Sequence, residues 1–169
     1  DTNRLWLRPT RPGDEEWIRP LFTDPEGRMY LGGAMSEEAA QAKIQIKGPP
    51  WWGYFAIVDR ESANGIGSLS FKQKNGQWEI SYQLRRDFWG LGLATEAITE
   101  GLRWFFSTTE QDEVSAVTQV DNVRSCRLLE RLGFDSTEEF TYRDAVVRRY
   151  VINRPKQRDE RWRDQAAAL

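Results

Sequence analysis

The sequence has no histidine in 169 residues, and that absence removes more chemistry than any other. Without imidazole there is no Ser-His-Asp or Cys-His catalysis and no common zinc site, so no metal is expected. A general base must then be a carboxylate, a tyrosine, a lysine or relayed water. The single cysteine, Cys126, excludes an internal disulfide framework and suits a cytoplasmic protein. No apolar run approaches bilayer length and no charged-then-apolar signal opens the chain, so no membrane partner is expected. Neither charge sign dominates. The 24 Lys plus Arg against 26 Asp plus Glu leave a net charge of −2, with no overall attraction to nucleic acid. Tryptophan, by contrast, is plentiful: there are eight, most of them expected in the core, although large rings also line ligand pockets.

The length suits one domain with a real core. That domain is expected over residues 1–153, with 154–169 a charged and then alanine-rich tail; monomer and homodimer both remain open. Leu5, Trp6 and Leu7 lie in an alternating opening strand over residues 4–8. Residues 12–22 begin like a helix that Pro20 is placed to break or kink. A second helix is expected over 36–46, N-capped by Ser36. Next comes Gly48-Pro49-Pro50-Trp51-Trp52-Gly53, irregular by its prolines and glycines. Its two rings read either as a lid on the core or as a pocket wall.

Strands are expected over 54–59, 66–71 and 77–84, joined by turns at Asn64-Gly65 and Asn75-Gly76 into an antiparallel meander. Beyond Leu84 lies Trp89-Gly90-Leu91-Gly92-Leu93-Ala94, and then a helix with Ala94, Ala97, Ile98, Leu102 and Phe105 on one face. A glycine-rich turn feeding a helix N-terminus offers unpaired N–H groups to a phosphate, or else merely closes the turn. It lacks the Gly-Lys-Ser/Thr of a P-loop, and it comes mid-chain, unlike a Rossmann fingerprint. Residues 114–120 read as a strand parallel to 77–84, joined to it by a helical crossover. A helix follows from Asn122 to a C-terminal Gly133, and a closing antiparallel pair occupies 135–142 and 146–152.

Three pieces, in this order and spacing, resemble the GNAT superfamily of N-acetyltransferases, most closely its Rim-type branch of protein N-terminal acetyltransferases and relatives. They are Glu79-Ile80-Ser81-Tyr82-Gln83-Leu84, Trp89 through Ala97, and Asn122-x-x-Ser125 running to Glu130-Arg131-Leu132-Gly133-Phe134. The resemblance implies an α/β fold with a mixed sheet, the GNAT acyl-CoA N-acyltransferase fold. It also implies acetyl transfer from acetyl-CoA to an amine, either a protein or peptide N-terminus or a small amine. The rival is a non-catalytic acyl-CoA-binding sensor of the same fold.

The resemblance further implies roles for individual residues. Main-chain groups of Tyr82, Gln83 and Leu84 would pair with pantetheine where two strands splay. The loop Trp89, Gly90, Leu91, Gly92, Leu93, Ala94 and Thr95 would carry the pyrophosphate. Trp89 stands where the superfamily usually has Gln or Arg. Arg85 and Arg86 are nearby charges or plain surface residues. Asn122 would touch the pantetheine arm, cap its helix, or do both. Many members have a tyrosine seven residues after this Asn, as acid to the leaving thiolate. Leu129 stands there instead, so Ser125 becomes the substitute acid. Cys126, as a nucleophile, is turned about a hundred degrees away from Ser125 on the helix. Glu79 is the favoured base, with Tyr82 or relayed water as rivals, and its register is open to a one-residue slip or a bulge. Trp51 and Trp52 would form a stiff aromatic wall beside the acceptor entrance.

Overall fold

The computed structural model describes residues 2–44 and 53–155. Its strands are β1 (Leu5–Arg8), β2 (Tyr54–Asp59), β3 (Gly65–Lys74), β4 (Gln77–Leu84), β5 (Glu113–Gln119), β6 (Asp135–Tyr142) and β7 (Ala145–Asn153). The helices are α1 (Glu15–Thr23), α2 (Glu37–Lys43), α3 (Leu93–Thr108) and α4 (Val123–Arg131). One seven-stranded sheet results, in the order β1-β2-β3-β4-β5-β7-β6, antiparallel at every junction except β4 with β5. This is the expected α/β fold with a mixed sheet.

The β3–β4 hairpin is tied by Asn75 and Gly76, both at positive φ (49° and 81°), the two-residue turn whose twist matches its strands. Pairing then runs without a break from Lys74 with Gln77 to Gly67 with Leu84. Because no bulge interrupts it, the face of every β4 side chain is fixed by alternation. β3 extends past the expected end to Lys74. Its last residues are polar and exposed, so the turn holds them rather than an apolar pattern. The Asn64-Gly65 turn is displaced as well: the reversal spans 60–64, and Gly65 already belongs to β3.

One face of the sheet carries α3. Phe71 stacks on Phe105 (centroids 4.7 Å apart), Phe55 meets Trp104 edge-on at 4.7 Å, and Leu69 fills the space beside Gly101. Leu128, Leu129 and Leu132 join the same core cluster from α4 and the turn after it. The opposite face carries α1, which packs with α2 and reaches β4 where the Gln83 amide donates to Leu21 O at 2.5 Å. Pro20 does not break α1. It lies on the exposed side with one turn still to follow, so only a single ladder bond is lost. Ser36 caps α2 by accepting from Ala39 N at 3.2 Å.

Candidate active site

β4 has eight residues and β5 seven, yet they share a single pair, Glu79 with Ser115. Beyond that pair the strands part. Arg85 N donates to Ile66 O at 2.8 Å, and this fixes which β4 residues bond to β3. Two-residue alternation turns the main-chain groups of Gln83 toward β3 and those of Tyr82 and Leu84 into the gap. Gln83 is therefore a correction to the sequence reading. Its main chain faces β3 and its side chain faces α1, so it presents nothing to the gap. Leu84 presents its N–H, but its carbonyl already accepts from the Trp89 indole at 2.9 Å. Tyr82 alone of the three keeps both main-chain groups toward the opening.

The loop after β4 turns left-handed twice, at Gly90 and Gly92, both with φ 77°. An L side chain there is strained by about 1–2 kcal/mol, and at Gly90 a Cβ would meet nothing within 4 Å, so the outer side of the loop is open. The N–H groups of Gly92, Leu93, Ala94 and Thr95 have no acceptor among the described residues. With the positive pole of a 16-residue helix behind them, they form a cradle for an oxyanion. The loop is buttressed from behind. Arg4 donates to Leu91 O at 2.9 Å and pairs with Glu96 at 2.7 Å, while Arg4 N and Thr2 Oγ1 donate to the same carboxylate. Glu96 is 5% exposed. Burial alone would raise its pKa, but the bonds from Thr2 and Arg4 hold it below the ordinary glutamate value.

Across the gap, Asn122 accepts from Ser125 N at 3.2 Å and so caps α4. The Ser125 hydroxyl is thereby set in the first helical turn, facing β4. There Tyr82 Oη and Ser125 Oγ share a hydrogen bond of 2.8 Å, between residues 43 apart in sequence. Burial pushes the Tyr82 phenol up to about 12, against the lowering effect of the Ser125 bond. It stays protonated, a donor, throughout the neutral range. Leu129 is 1% exposed, a core residue. The phenol absent from α4 thus reaches the same serine from the neighbouring strand. Sequence reasoning had placed Tyr82 by its main chain or as a rival base. Its side-chain partner was hidden because strand alternation gives a face, not a contact.

Glu79 lies on the other face, the same as Gln83, at the last residue before the strands part. It is 8% exposed and ion-paired to Lys74. Ser125 and Glu79 therefore approach the gap from opposite sides. Cys126 is buried, its Sγ 3.8 Å from Gln119 O, packed away from the opening. Arg86 is committed to Glu26, and Arg85 to Asp87 at 3.3 Å. Trp51 and Trp52 lie outside the described residues. Arg4 and Glu96 were missed; a repeated Arg or Glu in a charged chain carries no signal of its partner.

A strand pair that opens over a glycine-turned helix N-terminus has counterparts among known proteins. Residues 4–135 match the acetyltransferase (GNAT) domain family. The chain belongs to the GNAT acetyltransferases. An uncharacterized N-acetyltransferase p20 of Bacillus licheniformis is 28% identical over 144 residues, covering 79% of this chain and 80% of its own. The uncharacterized N-acetyltransferase YoaA of Bacillus subtilis is 29% identical, covering 89% and 86%. Among solved structures, a GNAT-family acetyltransferase of Bacillus anthracis superposes with TM-score 0.79 at 20% identity, over 90% and 96% of the two chains. A spermidine N-acetyltransferase of Vibrio cholerae, solved with CoA and spermine, gives 0.75 at 20%, over 90% and 96%. A ribosomal-protein-S5-alanine acetyltransferase of Vibrio fischeri gives 0.68 at 16%, over 90% and 94%. As a GNAT protein the chain is an acetyl-CoA-dependent acetyltransferase. The open loop and the unpaired amides at Gly92–Thr95 fit a pyrophosphate, and the free main chain of Tyr82 fits an amide-bearing arm. Among the described residues, no helix is long and apolar enough to cross a membrane.

Proposed function

We propose that this GNAT protein moves the acetyl group of acetyl-CoA directly to a primary amine within a ternary complex, the acceptor being a protein or peptide N-terminus or a small amine. The observation that carries the reading is the Tyr82–Ser125 hydrogen bond across the gap, placed opposite Glu79. Acetyl-CoA supplies an activated thioester carbonyl. The chain supplies two faces and a cradle. Main-chain N–H groups from Gly92 to Thr95 hold phosphate oxygens, and the Tyr82 main chain lines up the arm along β4. Asn122 holds Ser125 by its amide, so that Oγ directs its proton toward the leaving sulfur. The buried Tyr82 phenol, hydrogen-bonded to that Oγ, polarises it further. On the opposite face of β4, Glu79, released by Lys74, takes a proton from the incoming ammonium and leaves the amine neutral to attack; as the C–S bond breaks the thiolate takes the Ser125 proton, and the proton shed by the acylated nitrogen restores that hydroxyl.

Both acceptor classes occur among the proteins of like fold, in the names of the Vibrio cholerae and Vibrio fischeri enzymes. The Rim-type motifs favour the α-amine. Free-thiol release, followed with a panel of peptides and small amines, tests the proposal. Turnover with at least one primary amine, and a Ser125→Ala variant that loses kcat while keeping its affinity for CoA, is the expected result. A variant with unchanged kcat would reduce Ser125 to a helix-cap residue.

A further inference from the structure

No side chain from Trp89 to Thr95 carries a charge, so the cradle itself offers a phosphate only amides. The nearby cations from before and behind the loop are spent: Arg4 on Glu96, Arg85 on Asp87 and Arg86 on Glu26. Arg124 is the exception. It lies in the first turn of α4, two residues after Asn122, exposed and with no carboxylate partner among the described residues. Its guanidinium carbon sits over the Trp89 ring, 4.8 Å from the centroid. Trp89 is itself fixed, its indole N–H donating to Leu84 O and its ring packed against the core. The uncommitted cation therefore rests on a rigid platform that opens the phosphate loop, on the α4 side of the gap.

We infer that Arg124 is a phosphate-binding residue that completes the cradle, its guanidinium facing a donor phosphate across from the amides of Gly92–Thr95. The inference rests on the reading of that loop as the cofactor's phosphate site. Three physical facts support it. A guanidinium is a planar fork that matches phosphate oxygens two at a time, and its bonds to them are charge-assisted. Stacking on an indole face removes rotamer freedom before the ligand arrives, so less is lost on binding. And the one buried carboxylate in the first turn of α3, Glu96, is already neutralised by Arg4, so the local field favours an anion.

Calorimetry with CoA and with 3′-dephospho-CoA tests this on the wild type, Arg124→Ala, Arg124→Lys, Gly92→Val and, as a charge control at the far end of α4, Arg131→Ala. The loss of one charge-assisted contact predicts roughly tenfold weaker CoA binding in Arg124→Ala at low salt. The deficit should shrink as salt rises, Arg124→Lys should fall between, and Arg131→Ala should match the wild type. A deficit that persists with 3′-dephospho-CoA assigns the contact to the pyrophosphate; one that vanishes assigns it to the 3′-phosphate. Arg124→Ala with wild-type affinity for both ligands, beside a Gly92→Val that has lost it, overturns the Arg124 role alone. A deficit insensitive to salt overturns the phosphate assignment. Unchanged affinity in folded Gly92→Val overturns the loop reading beneath it.

Discussion

Replacing Tyr82 with Phe removes one oxygen and leaves the ring, and that oxygen is the side-chain partner of Ser125 at 2.8 Å. The stability cost should be small, about 1 kcal/mol for one partly buried hydrogen bond. The catalytic cost is the subject of interest. If the phenol polarises the serine hydroxyl, its loss removes a similar interaction from the transition state. At about 1.4 kcal/mol for each factor of ten, that is roughly a tenfold fall in kcat. The acetyl-CoA KM should hardly move, because the main chain of Tyr82, not its hydroxyl, faces the arm. Burial pushes the phenol from 10.0 up to about 12. That rise weighs against the phenolate, so the donor stays intact throughout an ordinary assay. The sign follows for stability too: a raised pKa contributes fully below pH 10 and is lost as pH climbs through about 12. The assay is steady-state thiol release with each substrate varied in turn, on the two single variants and the double. If Tyr82 acts through Ser125, the double variant should be no slower than Ser125→Ala alone. An unchanged kcat in folded Tyr82→Phe, or losses that multiply in the double, would refute the pairing.

Glu79→Gln should lower kcat by about a hundredfold or more if its carboxylate is the base, with CoA affinity by calorimetry unchanged; an equal kcat passes the role to relayed water. Gly92→Val puts a β-branched residue at φ 77°, costing about 1–3 kcal/mol of strain. It should abolish CoA binding while circular dichroism reports an intact fold. Arg4→Met leaves Glu96 buried without its cation and should lower the melting temperature by several degrees in calorimetry. Glu96 has a depressed pKa, so its contribution is present above its ordinary value of 4.5 and lost as pH falls below it. The stability gap between wild type and Arg4→Met should therefore close in acid. A gap that stays constant with pH would place the role of Arg4 elsewhere.

The fold was legible wherever local chemistry decides it. The bounds of β4 follow from alternation between the Asn75-Gly76 turn and the loop at Trp89, and α4 is framed by Asn122 and Gly133. The left-handed turn before α3 showed because Gly90 and Gly92 are needed for the backbone itself. The remaining contacts are set by packing between distant segments. Alternation puts Tyr82 on a face, but only the way α4 lies across that face brings Ser125 to it. Gln83 was misplaced because hydrogen-bond direction depends on the register with β3, which pattern alone does not give. Pro20 showed the converse: local chemistry argues against a helix there, and the amphipathic face of Ile18 and Leu21 outweighs it.

The lone Glu79–Ser115 pair has a mechanical consequence. A sheet joined by one rung is two plates, β1 to β4 and β5 with β7 and β6, that meet along a hinge. Apart from two side-chain bonds at the paired end, Ser115 Oγ to Trp78 O and Arg149 to Gln77, the plates are held by the shared apolar core, in which Ile80 and Leu84 from one plate pack in a common cluster with Val114, Ala116 and Tyr150 from the other. Such contacts are non-directional and tolerate small changes of angle that a row of hydrogen bonds would resist. A ligand that lays its own amides along Tyr82 would supply the missing rungs. The molecule would then stiffen as it fills, its two halves becoming one continuous sheet only while the donor is held between them.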